Sequence, residues 1–89
     1  MALTQNEKDQ ITRYKIQIEG YRKEIENFKK QKKQKTEYYS NLIKRTQDSN
    51  SKRSYRQSKL SWTNSINKSI DSKKNQIEYV KESIKKIKK

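Results

Sequence analysis

The spacing of the apolar residues constrains this chain more than any other feature. In the first half, apolar residues recur three and four positions apart, as in a coiled-coil helix, at Ile11, Tyr14, Ile18, Tyr21, Ile25 and Phe28. The second half repeats this rule, with Lys73 in its one gap, at Ile66, Ile70, Ile77, Val80, Ile84 and Ile87. The chain has no proline and a single glycine, so almost nothing interrupts a helix. The pattern predicts two long helices.

The two apolar seams match each other when the chain folds back on itself. A fold at Ser49 pairs residues whose numbers total 98, so that Ile18 meets Val80. Because both patterns repeat every seven residues, other fold points would also align the two seams. The chemistry of the turn selects the fold at Ser49. The stretch "TQDSNSKRS", residues 46–54, has no apolar residue and is rich in Asp, Asn and Ser, which cap helices and form turns. We therefore predict an all-α fold, an antiparallel two-helix hairpin of coiled-coil type.

Two candidate capping boxes give the helix bounds. Thr4 and Glu7 can satisfy free amides of a first helical turn, and Ser54 with Gln57 has the same form. These boxes predict a single hairpin over residues 1–89, with helix one at about 5–45 and helix two at about 55–88.

The composition limits what such a hairpin can do alone. Only 27% of the residues are apolar and 38% are charged, so the chain cannot build a compact core and a thin seam should be marginally stable without a partner. There is no cysteine and no histidine, which removes thiol nucleophiles, the usual general base and the commonest zinc ligands. The acidic residues are scattered. We expect no catalytic residue, no metal site and no cofactor.

The lysine run "KKQKKQK", residues 29–35, lies between two apolar segments and follows the heptad spacing. Lys and Gln favour helix, so we expect the run to continue helix one, with Lys32 and Lys35 at seam positions. A polar residue in a seam lowers stability and can fix register or the choice of partner.

Apolar residues near the turn extend beyond the seam, which usually indicates that a further helix is to be covered. Trp and Tyr are also enriched among residues that dominate interface affinity. The predicted partner-binding residues are Tyr38, Tyr39, Leu42, Ile43, Tyr55, Leu60 and Trp62. The alternative for Trp62 is that it fills the gap left by Lys32 and Lys35.

Positive charge is concentrated in the same part of the chain. Residues 27–70 hold twelve Lys and Arg against two acids, out of a net charge of +14 for the whole chain. Such a region attracts acidic surfaces or polyanions, although a solvated helix face is the usual meaning of a charge run. The candidate contacts to an acidic partner or polyanion are Lys29, Lys30, Lys33, Lys52, Arg53 and Arg56.

Three segments resemble the small helical partner proteins of LXG toxins in Gram-positive type VII secretion systems, which are related to the WXG-type hairpins. They are "YKIQIEGYRKEIENFKKQK", "LSWTNS" and "SINKSIDSKKNQIEYVKESI". Asn64 stands where the family's W-x-G motif has glycine, and Ser83 stands at the acidic position of the Y-x-x-x-D/E export motif that would begin at Tyr79. The resemblance implies a non-enzymatic adaptor or chaperone that docks on the helical N-terminal domain of a toxin and promotes its export.

We therefore expect a protein-interaction adaptor that forms a hetero-complex with a helical protein. A homodimer is an alternative assembly, and a basic coiled-coil nucleic-acid-binding protein is the alternative function. A membrane-surface helix is less consistent with the sequence, since the isoleucines of the cationic "KESIKKIKK" belong to the seam. The N-terminus lacks the features of a signal peptide and no segment is apolar enough to span a membrane. We expect a cytoplasmic protein, or one exported with its partner without a cleaved signal.

Overall fold

The heptad spacing forms two long helices. The computed structural model describes residues 2–89, in which α1 spans Gln5–Arg45 and α2 spans Ser49–Lys88. At 1.5 Å per residue a helix of this length extends ~60 Å, which accounts for most of the 69 Å long dimension. The other two dimensions, 15 and 12 Å, are those of two helices lying side by side. The predicted all-α antiparallel hairpin is confirmed.

The start of α1 is fixed by the predicted capping box. The Glu7 backbone N–H donates to Thr4 Oγ1 at 3.1 Å, and the Thr4 backbone N–H donates to Glu7 Oε1 at 3.0 Å. These two bonds satisfy amides that have no partner within the helix. The backbone bond from Thr4, followed by its hydroxyl, lowers the pKa of Glu7.

The turn is shorter than predicted, and helix two begins earlier. α1 ends at Arg45, as predicted, and Thr46 closes it by donating its backbone N–H and its hydroxyl to the Leu42 carbonyl at 3.1 and 2.7 Å. Asp48 caps α2, because its carboxylate accepts bonds from the Ser51 hydroxyl at 2.8 Å and the Ser51 backbone N–H at 3.2 Å. The same two bonds, the hydroxyl first, lower the pKa of Asp48.

The prediction that helix two starts at about residue 55 behind a box at Ser54 is therefore wrong. Asp is as strong an N-cap as Ser, and residues 49–54 contain no glycine or proline that would stop the helix from extending back to Asp48. The predicted turn near residues 46–54 narrows to residues 46–48.

The core occupies the half of the hairpin nearer the termini. The buried residues are Ile11, Ile18 and Ile25 on α1 and Ile66, Ile70, Ile77 and Val80 on α2, all predicted seam positions. Tyr14, Tyr21, Phe28 and Ile84 pack against the main cluster. No residue between Ile25 and Ile66 is buried, so the half near the turn has a weaker core.

Contacts between the helices confirm the register. Lys73 Nζ lies 2.7 Å from Glu24 Oε2, and Lys32 Nζ donates to Asn67 Oδ1 at 2.9 Å. The numbers of these paired residues total 97 and 99, within one of the predicted 98. Long side chains reach one position along the partner helix, so this offset is expected.

The seam departs from the heptad at Lys35. Lys32 is half-buried in the seam, as predicted, whereas Lys35 is exposed and Thr36 takes the inward position. The prediction that Lys35 lies in the seam is wrong. The step from Phe28 to Lys32 to Thr36 is four residues twice, and a straight helix of 3.6 residues per turn drifts against a strict heptad in this direction. The short Thr36 side chain fits between the axes, while Lys35 keeps its ammonium at the surface.

Two candidate binding surfaces

Two packed helices leave one groove on each side of their interface, and the two grooves of this hairpin differ in chemistry. We call one the aromatic side; its clefts are lined by Gln31, Gln34, Lys35, Tyr38 and Trp62 near the turn, and by Tyr14, Gln17, Tyr21, Asn75, Gln76, Tyr79 and Val80 towards the termini. We call the other the basic side; its clefts are lined by Ser40, Ile43, Lys44, Arg56, Lys59, Leu60 and Thr63 near the turn, and by Lys29, Lys32, Lys33, Thr36, Glu37, Asn67, Ile70, Asp71 and Lys74 further along.

The two linings share no residue. At ~100° of rotation per residue, their positions on α1 lie on opposite flanks of the buried seam. A partner that covers one side therefore leaves the other side free.

On the aromatic side, Lys35 is surrounded by three rings. Its Nζ lies 5.7 Å from the ring centroids of Tyr38 and Tyr39 and 5.8 Å from that of Trp62. The two tyrosine rings meet edge to face, with centroids 5.5 Å apart. An ammonium within ~6 Å of an aromatic face is attracted by the ring quadrupole. Lys35 thus holds together an aromatic cluster on the surface, in which Tyr38 is 56% exposed.

Trp62 lies partly beneath this cluster and leaves a donor unsatisfied. The side chain is half-buried, and its Nε1 is buried without a hydrogen-bond acceptor. The Thr36 hydroxyl is also buried without a partner, and the register places Thr36 and Trp62 in the same layer. A buried polar group with no partner costs ~1–3 kcal/mol. The layer next to the displaced Lys35 therefore leaves two buried polar groups without partners.

Towards the termini, the cleft of the aromatic side is lined by uncharged residues. Lys73 pairs with Glu24 and its Nζ lies 5.4 Å from the Tyr21 ring centroid. Tyr79 lies at the cleft with 76% of its surface exposed. Amide side chains of Gln17, Asn75 and Gln76 make up most of the remaining lining, so this side offers tyrosines and amides and few net charges.

The basic side carries unbalanced positive charge. Seven cations and two acids line its clefts: Lys29, Lys32, Lys33, Lys44, Arg56, Lys59 and Lys74 against Glu37 and Asp71. Within residues 2–89, the four ion pairs all join residues of the terminal half, and none includes a cation of the basic side. Lys32 and Lys59 cross to neutral acceptors instead, Asn67 at 2.9 Å and Ser40 at 3.1 Å. Their positive charge is left without a counter-charge.

The structure divides the predicted partner-binding residues between the two sides. Tyr38, Tyr39 and Trp62 meet around Lys35 on the aromatic side, whereas Ile43 and Leu60 line one cleft on the basic side. Leu42 and Tyr55 are half-buried near the turn and line none of these clefts.

The predicted polyanion contacts are divided as well. Lys29, Lys33 and Arg56 line the basic side. Lys30 and Arg53 are exposed, Lys52 is half-buried, and these three line none of the four clefts.

Sequence reasoning missed that Lys44, Lys59 and Lys74 belong to the same surface as Lys29 and Lys33. The signal was present in the heptad. With Ile11 at position a, Tyr38 falls at g and Ile43 at e. Because the second helix runs in the opposite direction, g positions face g positions and e positions face e positions. If the e positions and the g positions had been assigned to two different flanks of the seam, the aromatic side and the basic side would have been distinguished from the sequence.

No helix among the described residues is long and apolar enough to cross a membrane. In the same part of the chain, no three His, Cys, Asp or Glu side chains are grouped so as to hold a metal ion. Comparisons with protein families, with curated proteins and with solved structures gave no match.

Proposed function

We propose that this protein is a non-enzymatic interaction adaptor that docks on a helical protein partner through its aromatic side. The observation that carries the proposal is the exposed cluster around Lys35, in which Tyr38 stands next to the half-buried Trp62 in an open cleft of about 460 Å³. Aromatic side chains of this kind dominate interface affinity when a partner excludes water from them.

The incompleteness of the hairpin supports this proposal. Seven of residues 2–89 are buried, none of them fully, while Ile16, Tyr38, Leu60 and Tyr79 each expose more than half of their surface. A third helix laid along the aromatic side would cover Tyr38 and Tyr79 together. Helix-in-groove docking is a common way in which an amphipathic helix is recognised.

The biological role that fits is that of a chaperone or adaptor which presents a partner for export. It rests on the resemblance to LXG-toxin partner proteins, whose implied mode of action is docking on a helical N-terminal domain. A hairpin with an exposed aromatic groove has the surface that such docking requires.

The test is co-purification from the native cell after nuclease treatment, followed by titration of the identified partner. Tyr38→Ala should weaken the complex ~30-fold, the loss typical of a central aromatic contact. Ile16→Ala is the matched control, since Ile16 is also more than half exposed but lines none of the clefts of either side, and it should change affinity less than about 3-fold. Equal effects of the two variants, or recovery of the chain without a stoichiometric protein, would contradict the proposal.

Nucleic-acid binding is the second candidate, and the unpaired cations of the basic side favour it. A nucleic-acid-binding protein should co-purify with RNA or DNA from the native cell when nuclease is omitted. Lys29→Gln with Lys33→Gln should then weaken binding more than Tyr38→Ala does and should flatten the dependence on salt by about one unit of slope per lost phosphate contact.

A further inference from the structure

We propose that the basic side is a second, separate docking surface, and that its occupant is an acidic amphipathic helix of another protein. This goes beyond the interaction proposed above, because it concerns the opposite groove of the hairpin and residues that the aromatic side does not share.

The charge of the groove requires an acidic occupant. Its seven cations face two acids, and none of the seven forms an ion pair in residues 2–89. Lys32 and Lys59 are fixed across the interface by neutral acceptors, so their ammonium groups are already positioned and lose little freedom when a carboxylate arrives. Opposite charge on a partner would speed encounter and select against basic partners.

The groove also requires an apolar stripe on the occupant. Leu60 is 61% exposed beside the half-buried Ile43, and the two share a cleft of about 570 Å³. Carboxylates alone would leave this aliphatic surface in water. A partner with aliphatic residues between its acids would cover Leu60 while its acids meet Lys44, Arg56 and Lys59.

The shape of the groove favours a helix over an extended segment. From Lys29 to Lys44 the α1 rim is continuous helix and spans ~22 Å at 1.5 Å per residue, which is the length of about four helical turns. The backbone N–H and C=O groups along this rim are bonded within α1 and α2, so an extended peptide would find no backbone partners. A third helix can pack on the two rims through side chains alone.

The distribution of aromatic residues favours a protein over single-stranded nucleic acid. Proteins that bind single strands place aromatic rings between their cations, so that bases stack while phosphates are neutralised. In this hairpin the rings of Tyr38, Tyr39 and Trp62 lie around Lys35 on the aromatic side. The basic side holds aliphatic side chains and no aromatic residue.

The test uses four labelled probes and the full chain, measured by fluorescence anisotropy. The first probe is a synthetic helical peptide of about 20 residues with leucines every three to four positions and glutamates on both flanks of that stripe. The second has the same composition in shuffled order, and the others are a single-stranded RNA and a DNA duplex of matched charge. The amphipathic peptide should bind at least ~10-fold more tightly than the shuffled one, because only it offers an apolar stripe to Leu60.

Variants locate the binding. Leu60→Ser should weaken binding of the amphipathic peptide ~10-fold, whereas the matched Tyr38→Ser, exposed to a similar degree on the other side, should change it less than about 2-fold. Lys44→Gln with Arg56→Gln should weaken it more at about 50 mM salt than at about 200 mM. Circular dichroism of each variant verifies that the hairpin is intact.

Four outcomes would overturn the inference. Equal affinity for the amphipathic and shuffled peptides would mean that charge alone is recognised. Tighter binding of RNA or DNA, unaffected by Leu60→Ser, would make the groove a polyanion site. An equal loss with Tyr38→Ser would place the peptide on the aromatic side, and no binding at about 100 µM peptide, weaker than ordinary transient complexes, would mean that no such site exists. The partner of the aromatic side is tested separately, with Tyr38→Ala and Ile16→Ala.

Discussion

At the scale of single residues, Trp62 makes two opposite contributions to stability, and it does so next to the part of the seam where polar residues replace apolar ones. Its ring lies under the Lys35 ammonium while its Nε1 is buried without an acceptor. Trp62 thus occupies the layer beside the displaced Lys35. The ring contributes apolar contact, and the indole N–H opposes folding.

Trp62→Phe separates these two contributions. Phenylalanine keeps most of the ring and removes the unpaired donor, which costs ~1–3 kcal/mol, so the free energy of unfolding should stay within about 1 kcal/mol of the wild type. Trp62→Ala removes the ring and should lower it by ~2 kcal/mol, less than a fully buried Trp→Ala change. Urea denaturation of the three chains gives the comparison. A loss with Phe as large as the loss with Ala would show that the indole N–H is bonded in solution.

The two lysines that the heptad pattern assigns to the seam, Lys32 and Lys35, give a matched pair of substitutions. Lys32 is half-buried between the helices, so Lys32→Leu should raise the free energy of unfolding by ~1 kcal/mol through buried apolar surface. Lys35 is exposed and lies over three rings, so Lys35→Leu should give no gain and lose up to ~1 kcal/mol of cation–π attraction. Thermal unfolding by circular dichroism measures both. Equal stabilisation by the two substitutions would indicate that Lys35 lies in the seam, as the strict heptad predicts, and would contradict the inward position of Thr36.

At the scale of the helices, Gly20 is a position where α1 can be improved. It lies in the interior of the helix and is exposed, its φ is not positive, and an added Cβ would meet no atom within 4 Å. Gly20→Ala should therefore raise the free energy of unfolding by ~0.5–1 kcal/mol, because alanine loses less backbone entropy. Denaturation of the two chains under identical conditions measures the change. Destabilisation would mean that Gly20 contacts another molecule or that α1 is distorted there.

The cap of α2 makes stability depend on pH at the turn. The folded chain holds the pKa of Asp48 below its ordinary value of 3.8, through the Ser51 hydroxyl and backbone N–H. A lowered pKa stabilises the fold above the unfolded value, and this stabilisation is lost as pH falls through the folded value. Asp48→Ala should thus lower the melting temperature at pH 7, and the difference should shrink as the pH falls below the ordinary pKa of 3.8. A difference that is independent of pH would show that the carboxylate is not the cap.

Most of the helical architecture could be predicted from the sequence, since it depends on local rules. The seam isoleucines, the Thr4 capping box, the end of α1 at Arg45 and the register follow from spacing and capping. The start of α2 could not be predicted in this way, because Asp48 and Ser54 are both good caps. The choice between them depends on how much free energy residues 49–54 gain by being helical. The inward shift from Lys35 to Thr36 depends on packing between the two helices, which no single-helix pattern contains.

The candidate surfaces were predicted in part. The aromatic and basic residues near the turn were identified, but their division between two sides was not. Leu60 and Trp62 are two positions apart in the chain and lie on opposite grooves. The two side chains point in different directions around the axis of α2, and the antiparallel register decides which groove each direction faces.

At the scale of the whole molecule, the hairpin combines a small core with two chemically different grooves. The core and all four ion pairs of residues 2–89 are concentrated towards the termini, and the unpaired cations and exposed aromatic cluster lie towards the turn. The weakly packed end is therefore also the end with the strongest binding chemistry. Partners on the two grooves would complete the bundle that the chain cannot complete alone.

The separation of the two grooves depends on the antiparallel register, so the distance between the helix termini tests the central claim most directly. Spin labels at Arg13 and Lys85, which are both exposed and whose numbers total 98, should lie roughly 10–20 Å apart, since packed helix axes are ~8–10 Å apart and the labels add reach. Electron paramagnetic resonance measures this distance in singly and doubly labelled chains. A separation near ~100 Å, the span of one continuous helix over these residues at 1.5 Å per residue, would contradict the hairpin and both of its grooves.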